Sequence, residues 1–91
     1  MDSNKDPSYD HQIGVCYYWK EEYDQAILFL KKALEIDKNY HQSMNHLGLC
    51  YYYKCDYNEA EQWYLKALKI SPKHKLYLWN IGRNRYWNYE Y

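Results

Sequence analysis

Residues 10–38 read DHQIGVCYYWKEEYDQAILFLKKALEIDK, and residues 44–72 read MNHLGLCYYYKCDYNEAEQWYLKALKISP. Laid over each other at an offset of 34, they align Gly14 with Gly48, Cys16 with Cys50, Tyr17 with Tyr51, Tyr18 with Tyr52 and Tyr23 with Tyr57. The second halves keep Ala26 and Ala60, Lys32 and Lys66, Ala33 and Ala67, Leu34 and Leu68, Ile36 and Ile70. The remaining glycine, Gly82, falls a further 34 residues on. Self-similarity at a fixed period of roughly 20 to 50 residues marks stacked units, none of which can bury its apolar face alone.

Each unit reads as two helices. Asp6-Pro7 opens the first, with Asp at the N-cap and Pro at the first helical position. Apolar spacing through Tyr9, Ile13, Cys16 and Tyr17 carries it to about Lys20. A turn over Glu21–Tyr23 precedes a second helix from Asp24 to about Asp37, with Ala26, Ile27, Leu30, Ala33 and Leu34 on its apolar face. In the second unit Asp56 and Glu59 have capping-box spacing, and Pro72 biases Ser71 out of the helical region. Lys75 onward supplies one closing helix.

Glycine inside a helix costs about 1 kcal/mol relative to alanine, so its recurrence at one register has a packing reason. Without a side chain there, the second helix of the unit can approach closely. Ala26/Ala60 and Ala33/Ala67 are small for the same reason, and Tyr17/Tyr51 and Leu30/Tyr64 fill the space that remains. Cys16 and Cys50 share a position that wants a small buried residue.

These residues resemble the tetratricopeptide repeat family. The second unit carries its pattern in Met44 (for Trp), Leu47, Gly48, Tyr51, Ala60, Tyr64, Ala67 and Pro72. The first keeps Ile13, Gly14, Tyr17, Ala26, Leu30 and Ala33, with Asp10 and Lys38 where Trp and Pro are usual. The closing helix retains Leu78, Ile81 and Gly82. The resemblance implies an all-α, right-handed solenoid of antiparallel helix pairs, about five helices in all. The expected organisation is a disordered leader over residues 1–6, repeats over 7–40 and 41–74, and a capping, solvating helix over 75–91. Glu21 and Cys55 stand where the family keeps a small residue, so those turns are expected to be strained or differently shaped. Arg85 and Asn84 replace Tyr and Cys in the closing helix, as a solvated outer face requires.

Composition narrows the function. Twelve basic residues balance twelve acidic ones, which gives no electrostatic case for nucleic acid or an anionic membrane. No apolar run approaches the roughly 20 residues of a membrane span, and no secretory leader is visible. Three cysteines form no disulfide framework, so reduced thiols and a cytoplasmic location are expected. No catalytic constellation, phosphate loop, metal-ligand set or cofactor motif can be made out. An enzyme is not expected, and no metal or cofactor is. His41 and His74, at the unit ends, are expected in solvent.

In the family the first helices line the concave side, which implies a groove register. It runs His11, Gln12, Val15, Tyr18 and Trp19, then Asn45, His46, Leu49, Tyr52 and Tyr53, then Trp79, Asn80, Arg83, Tyr86 and Trp87. Aromatic anchors beside amides and one arginine suit an extended peptide, with Asn45 and Asn80 toward its backbone and Arg83 toward a carboxylate. Tyr18 and Tyr52 also sit where the family packs a Tyr. The family's carboxylate-clamp subclass is not expected, because its positions here hold His11, Val15, His46, Leu76 and Asn80. The reading is a protein- or peptide-binding module, monomeric or weakly self-associating by a swapped unit. A ligand-free structural or designed scaffold is the alternative.

Overall fold

A computed structural model describes residues 6–90, with only the backbone of Glu90. The leader expected over residues 1–6 therefore lies, Asp6 apart, outside the described residues. Five helices follow one another: α1 Pro7–Trp19, α2 Tyr23–Ile36, α3 His41–Tyr53, α4 Tyr57–Ile70 and α5 Lys75–Glu90. Each packs on the next, α1 also touches α3, and α3 touches α5. Among the described residues the backbones of α2 and α4 make no close approach. The first helices of the units thus converge and the second helices splay, which puts α1, α3 and α5 on the inside of the curve. The architecture is an all-α helical solenoid, 49 Å in its longest dimension. Among the described residues no helix is long and apolar enough to cross a membrane.

Local chemistry sets the helix ends. The Asp6 carboxylate accepts from Ser8 N at 2.9 Å, with Pro7 at the first position. Asp56 accepts from Glu59 N in the same way at the start of α4. The two turns inside the units are copies. Glu22 N donates to Tyr17 O and Glu21 N to Tyr18 O; Asp56 N donates to Tyr51 O and Cys55 N to Tyr52 O. This pair of bonds is the Schellman closure, which needs a left-handed residue after the helix. Glu21 (φ 63°) and Cys55 (φ 65°) supply it without being glycine. The turns are therefore strained as expected, and alike in shape.

The glycines act as slots. A Cβ on Gly14 would lie 2.7 Å from Leu30 Cγ, and one on Gly48 would fall on the Tyr64 ring. Leu30, Tyr64 and the four alanines Ala26, Ala33, Ala60 and Ala67 are wholly buried. The core is a row of small clusters rather than one mass. Ala26 and Leu30 meet Leu47 and Cys50; Ala60 and Tyr64 meet Ile81; Ala67 meets Met44 and Tyr77. Each unit is thus completed by the first helix of the next.

Three expectations fail for one reason, that neighbours rather than register decide burial. Cys16 is exposed although Cys50 is buried, because Cys50 packs on Ala26 and Leu30 of α2 and among the described residues no helix covers the matching side of α1. Tyr9 and Ile13 share this open face. Asn84 does not face solvent: it lies against α4, wholly buried, and donates to the Tyr57 carbonyl at 2.9 Å. His41 and His74 are not solvated ends either. His41 Nδ1 shares a 2.7 Å hydrogen bond with the Tyr77 hydroxyl, and His74 stacks on the Tyr77 ring at 3.8 Å. Arg85 does reach the outside, where it forks onto the Glu61 carboxylate of α4.

Candidate functional site

The inner face has two bands. The upper band is a pair of seams between first helices. At the α1–α3 seam His11 sets its ring edge-on to His46, centroids 5.3 Å apart, and shares a 2.8 Å hydrogen bond with Ser43. His46 Nδ1 donates to the Gln42 carbonyl. At the α3–α5 seam, one unit on, Asn80 Nδ2 donates to Asn45 Oδ1 at 2.8 Å. His11 and Asn45 occupy one register, and His46 and Asn80 another. The seams are the same joint built from different chemistry. Asn45 and Asn80 are 3% and 2% exposed, so their amides bind each other across the seam rather than standing free for a peptide backbone.

Burial makes the histidine seam a neutral one. Loss of solvent, then the nearby His46, pulls His11 from 6.5 down to about 4. Burial also lowers His46, opposed by its bond to Gln42. The thiol of Cys50, behind this seam, is pushed up to about 12 by burial, so it is an inert core group.

The lower band is aromatic. Tyr18, half-buried, sets ring edges against Trp19 at 5.2 Å and His46 at 5.5 Å. Tyr53, at the end of α3, stacks on Tyr23, at the start of α2, at 5.8 Å. The Arg83 guanidinium covers the Tyr52 ring at 4.4 Å, a cation–π contact on a half-buried face. Behind it lies the Tyr64 hydroxyl, the far end of the ring that fills the Gly48 slot. Arg83 Nε and the Tyr64 hydroxyl make no well-formed hydrogen bond, yet the guanidinium charge opposes the upward push that burial gives this phenol. Val15 and Leu49 are half-buried, and Leu49 packs on the cluster of Ala60, Tyr64 and Ile81. Trp19 is 74% exposed, Tyr86 59% and Trp87 39%.

Of the fifteen residues of the groove register, Gln12, Tyr53 and Trp79 are exposed, and the other twelve divide. Tyr18, Trp19, Leu49, Tyr52, Arg83, Tyr86 and Trp87, with Val15, offer surface on the inner face. His11 and His46 brace one seam, Asn45 and Asn80 the other. Reading by register passed over Glu21 and Tyr23. With Tyr18, Trp19 and Tyr53 they bound a hollow of about 190 Å³ at the turn end of the groove. Their signal was the left-handed turn, which brings Glu21 back beside the Tyr23 ring. A larger hollow of about 380 Å³ adjoins this one at Glu21 and Tyr23 and is otherwise lined by Glu22, Gln25 and the Lys54–Asp24 ion pair. Among the described residues no three His, Cys, Asp or Glu side chains gather as metal ligands.

A search of curated proteins finds no match to this chain. The family model of the tetratricopeptide repeat matches residues 7–73, that is α1 to the end of α4 and the start of the link to α5. The match covers the two glycine slots, the buried alanines and both Schellman turns. The chain belongs to the tetratricopeptide repeat family, whose members are in general protein–protein interaction modules and non-enzymatic scaffolds.

Proposed function

We propose that this chain binds an extended peptide segment of a partner protein along the inner face of α1, α3 and α5. The observation that supports it most is the lower band, where the large rings of Trp19, Tyr86 and Trp87 stand exposed. Exposed Trp and Tyr around a half-buried arginine make the usual anchor chemistry of a recognition surface. The band is also polarised, with Glu21 beside Tyr18 and Trp19 at one end and Arg83 on Tyr52 at the other. A segment with a basic side chain at the first end and an acidic one at the second matches it. The carboxylate-clamp mode is not proposed, because His11, Val15, His46, Leu76 and Asn80 supply no cationic clamp. His11, His46 and Asn80 are moreover engaged in the seams.

Selection from a displayed random-peptide library would test this reading. Selected peptides should share an aromatic-binding core with basic and acidic ends, and Trp19→Ala or Arg83→Ala should weaken them about tenfold or more. Trp19 is exposed enough that its loss should leave the melting temperature unchanged. Peptides that bind both variants as tightly as the parent would sink the groove assignment.

A further inference from the structure

The hollow at the turn end of the groove is walled by aromatic rings and carries one charge on its rim. Tyr18 forms its floor. The rings of Trp19, Tyr23 and Tyr53 lie 5.2, 6.0 and 6.1 Å from the Tyr18 ring and stand at 69°, 61° and 55° to it. Glu21 completes the rim. Burial, and then the nearby Glu21 carboxylate, raise the Tyr23 phenol. Among the described residues Glu21 takes part in no ion pair. Lys20, its sequence neighbour, lies over the Tyr17 ring at 5.7 Å, and Lys54 is held by Asp24.

One unit on, the same cluster already holds a cation. Tyr52, Tyr53 and Tyr57 repeat Tyr18, Trp19 and Tyr23, with Tyr53 and Tyr57 at 5.0 and 5.8 Å from the Tyr52 ring. The Arg83 guanidinium covers that Tyr52 ring at 4.4 Å. In the first unit the position of Arg83 is held by Leu49, and the position of Cys55 by Glu21. The first cluster thus lacks the arginine that its copy has, and carries a negative charge that its copy lacks. Arg83 reaches only its margin, 6.0 Å from the Tyr53 ring. Ring faces attract a cation, and a carboxylate on the rim adds to that pull. An unmodified ammonium is strongly hydrated and brings three N–H donors that need acceptors. Methyl groups remove those donors and rest on the ring faces instead. We propose that this hollow binds a methylated ammonium, carried on a lysine side chain of the partner segment. The carrier rests on the groove reading above; the head-group chemistry does not.

Tetramethylammonium chloride, titrated into the isotope-labelled full chain, should saturably shift the Trp19 indole N–H and the amides of Glu21, Tyr23 and Tyr53. Ammonium chloride at matched ionic strength, and tert-butanol as a neutral molecule of similar shape, should bind about tenfold or more weakly. Trp19 and Glu21 are both exposed, so Trp19→Ala and Glu21→Gln should leave the melting temperature unchanged. Each should weaken tetramethylammonium about threefold or more. Equal binding of the three probes, an absence of shifts, or unaltered binding in both variants would overturn the proposal. A synthetic peptide array with a central trimethyl-lysine, beside the same array with lysine, separates the head group from its carrier. Trimethyl-lysine peptides that bind about tenfold or more tighter than choline, and tighter than their lysine counterparts, support the carrier proposed. Choline bound as tightly as any peptide retains the aromatic site and overturns the groove reading. Tight lysine peptides that gain nothing from methylation retain the groove and overturn the methylated ammonium.

Discussion

α3 and α5 are the same helix in the repeat and different helices in the molecule. α3 has α2 on one side and α4 on the other, so Met44, Leu47, Gly48 and Cys50 are all covered. α5 has α4 alone. Ile81 and Asn84, which face α4, are buried as deeply as their α3 counterparts; Leu78 and Gly82, which face away, are open. A repeat position therefore carries two instructions, one for each neighbour, and only the neighbours present read them. The exposed Tyr9, Ile13 and Cys16 of α1 show the converse on the other side.

Alanine at the three glycines breaks this comparison most severely. Gly48→Ala should cost up to about 2 kcal/mol. Over-packing costs about 1–3 kcal/mol, only partly offset by the ~1 kcal/mol that alanine returns to a helix. The Tyr64 ring is rigid and pinned by Ala60 and Ile81, so it has nowhere to retreat. Gly14→Ala should cost less, about 1 kcal/mol, because Leu30 can change rotamer, although the Ala26 carbonyl at 3.2 Å cannot. Gly82→Ala should stabilise by about 1 kcal/mol. Denaturant unfolding of the three variants checks the order, and a destabilised Gly82→Ala would contradict the open slot.

The sequence made the period, the helix pairs and the glycine slots legible because close backbone approach leaves few residue choices. The predicted helix ends fall within one residue or so of those observed. What stayed hidden was direction. Asn84 looked like a solvated cap because a polar residue replaced Cys50, yet a buried amide serves as well when it finds the Tyr57 carbonyl. Asn45 and Asn80 looked like free donors because the repeat offset of 34 never sets them together. First helices in fact meet one residue beyond the period: His11 with His46, Tyr18 with Tyr53 and Asn45 with Asn80 are each 35 apart. That offset was present in the sequence, unread.

The two seams separate under acid. His11 and His46 titrate lower in the fold than in the unfolded chain, where both sit near 6.5. Above that value both states hold them neutral and stability is flat. As pH falls from 6.5 toward 4 the unfolded chain takes up protons first, so stability is lost across that window. The rings are only half-buried, and solvent screening holds the loss to roughly 1 kcal/mol. The Asn45–Asn80 seam has nothing to protonate. His11→Asn with His46→Asn copies it into the α1–α3 joint, and should flatten the melting temperature between pH 6.5 and 4.5. An unchanged pH slope in that double variant would place the acid sensitivity elsewhere.

The smallest effect sharpens the one feature that the units share without variation. Glu21 and Cys55 hold φ near 64° in identical Schellman turns, a conformation glycine adopts freely and a side chain resists. Glu21→Gly and Cys55→Gly should each stabilise by about 0.5–1 kcal/mol, less what glycine's extra freedom in the unfolded chain removes. The two differ in consequence. Cys55 is exposed and borders neither hollow, so Cys55→Gly should change stability alone. Glu21 closes the hollow beside Trp19 and Tyr23, so Glu21→Gly should gain stability while weakening a groove-bound peptide at its basic end. Equal peptide binding by the two variants would show that the left-handed turn serves the fold only.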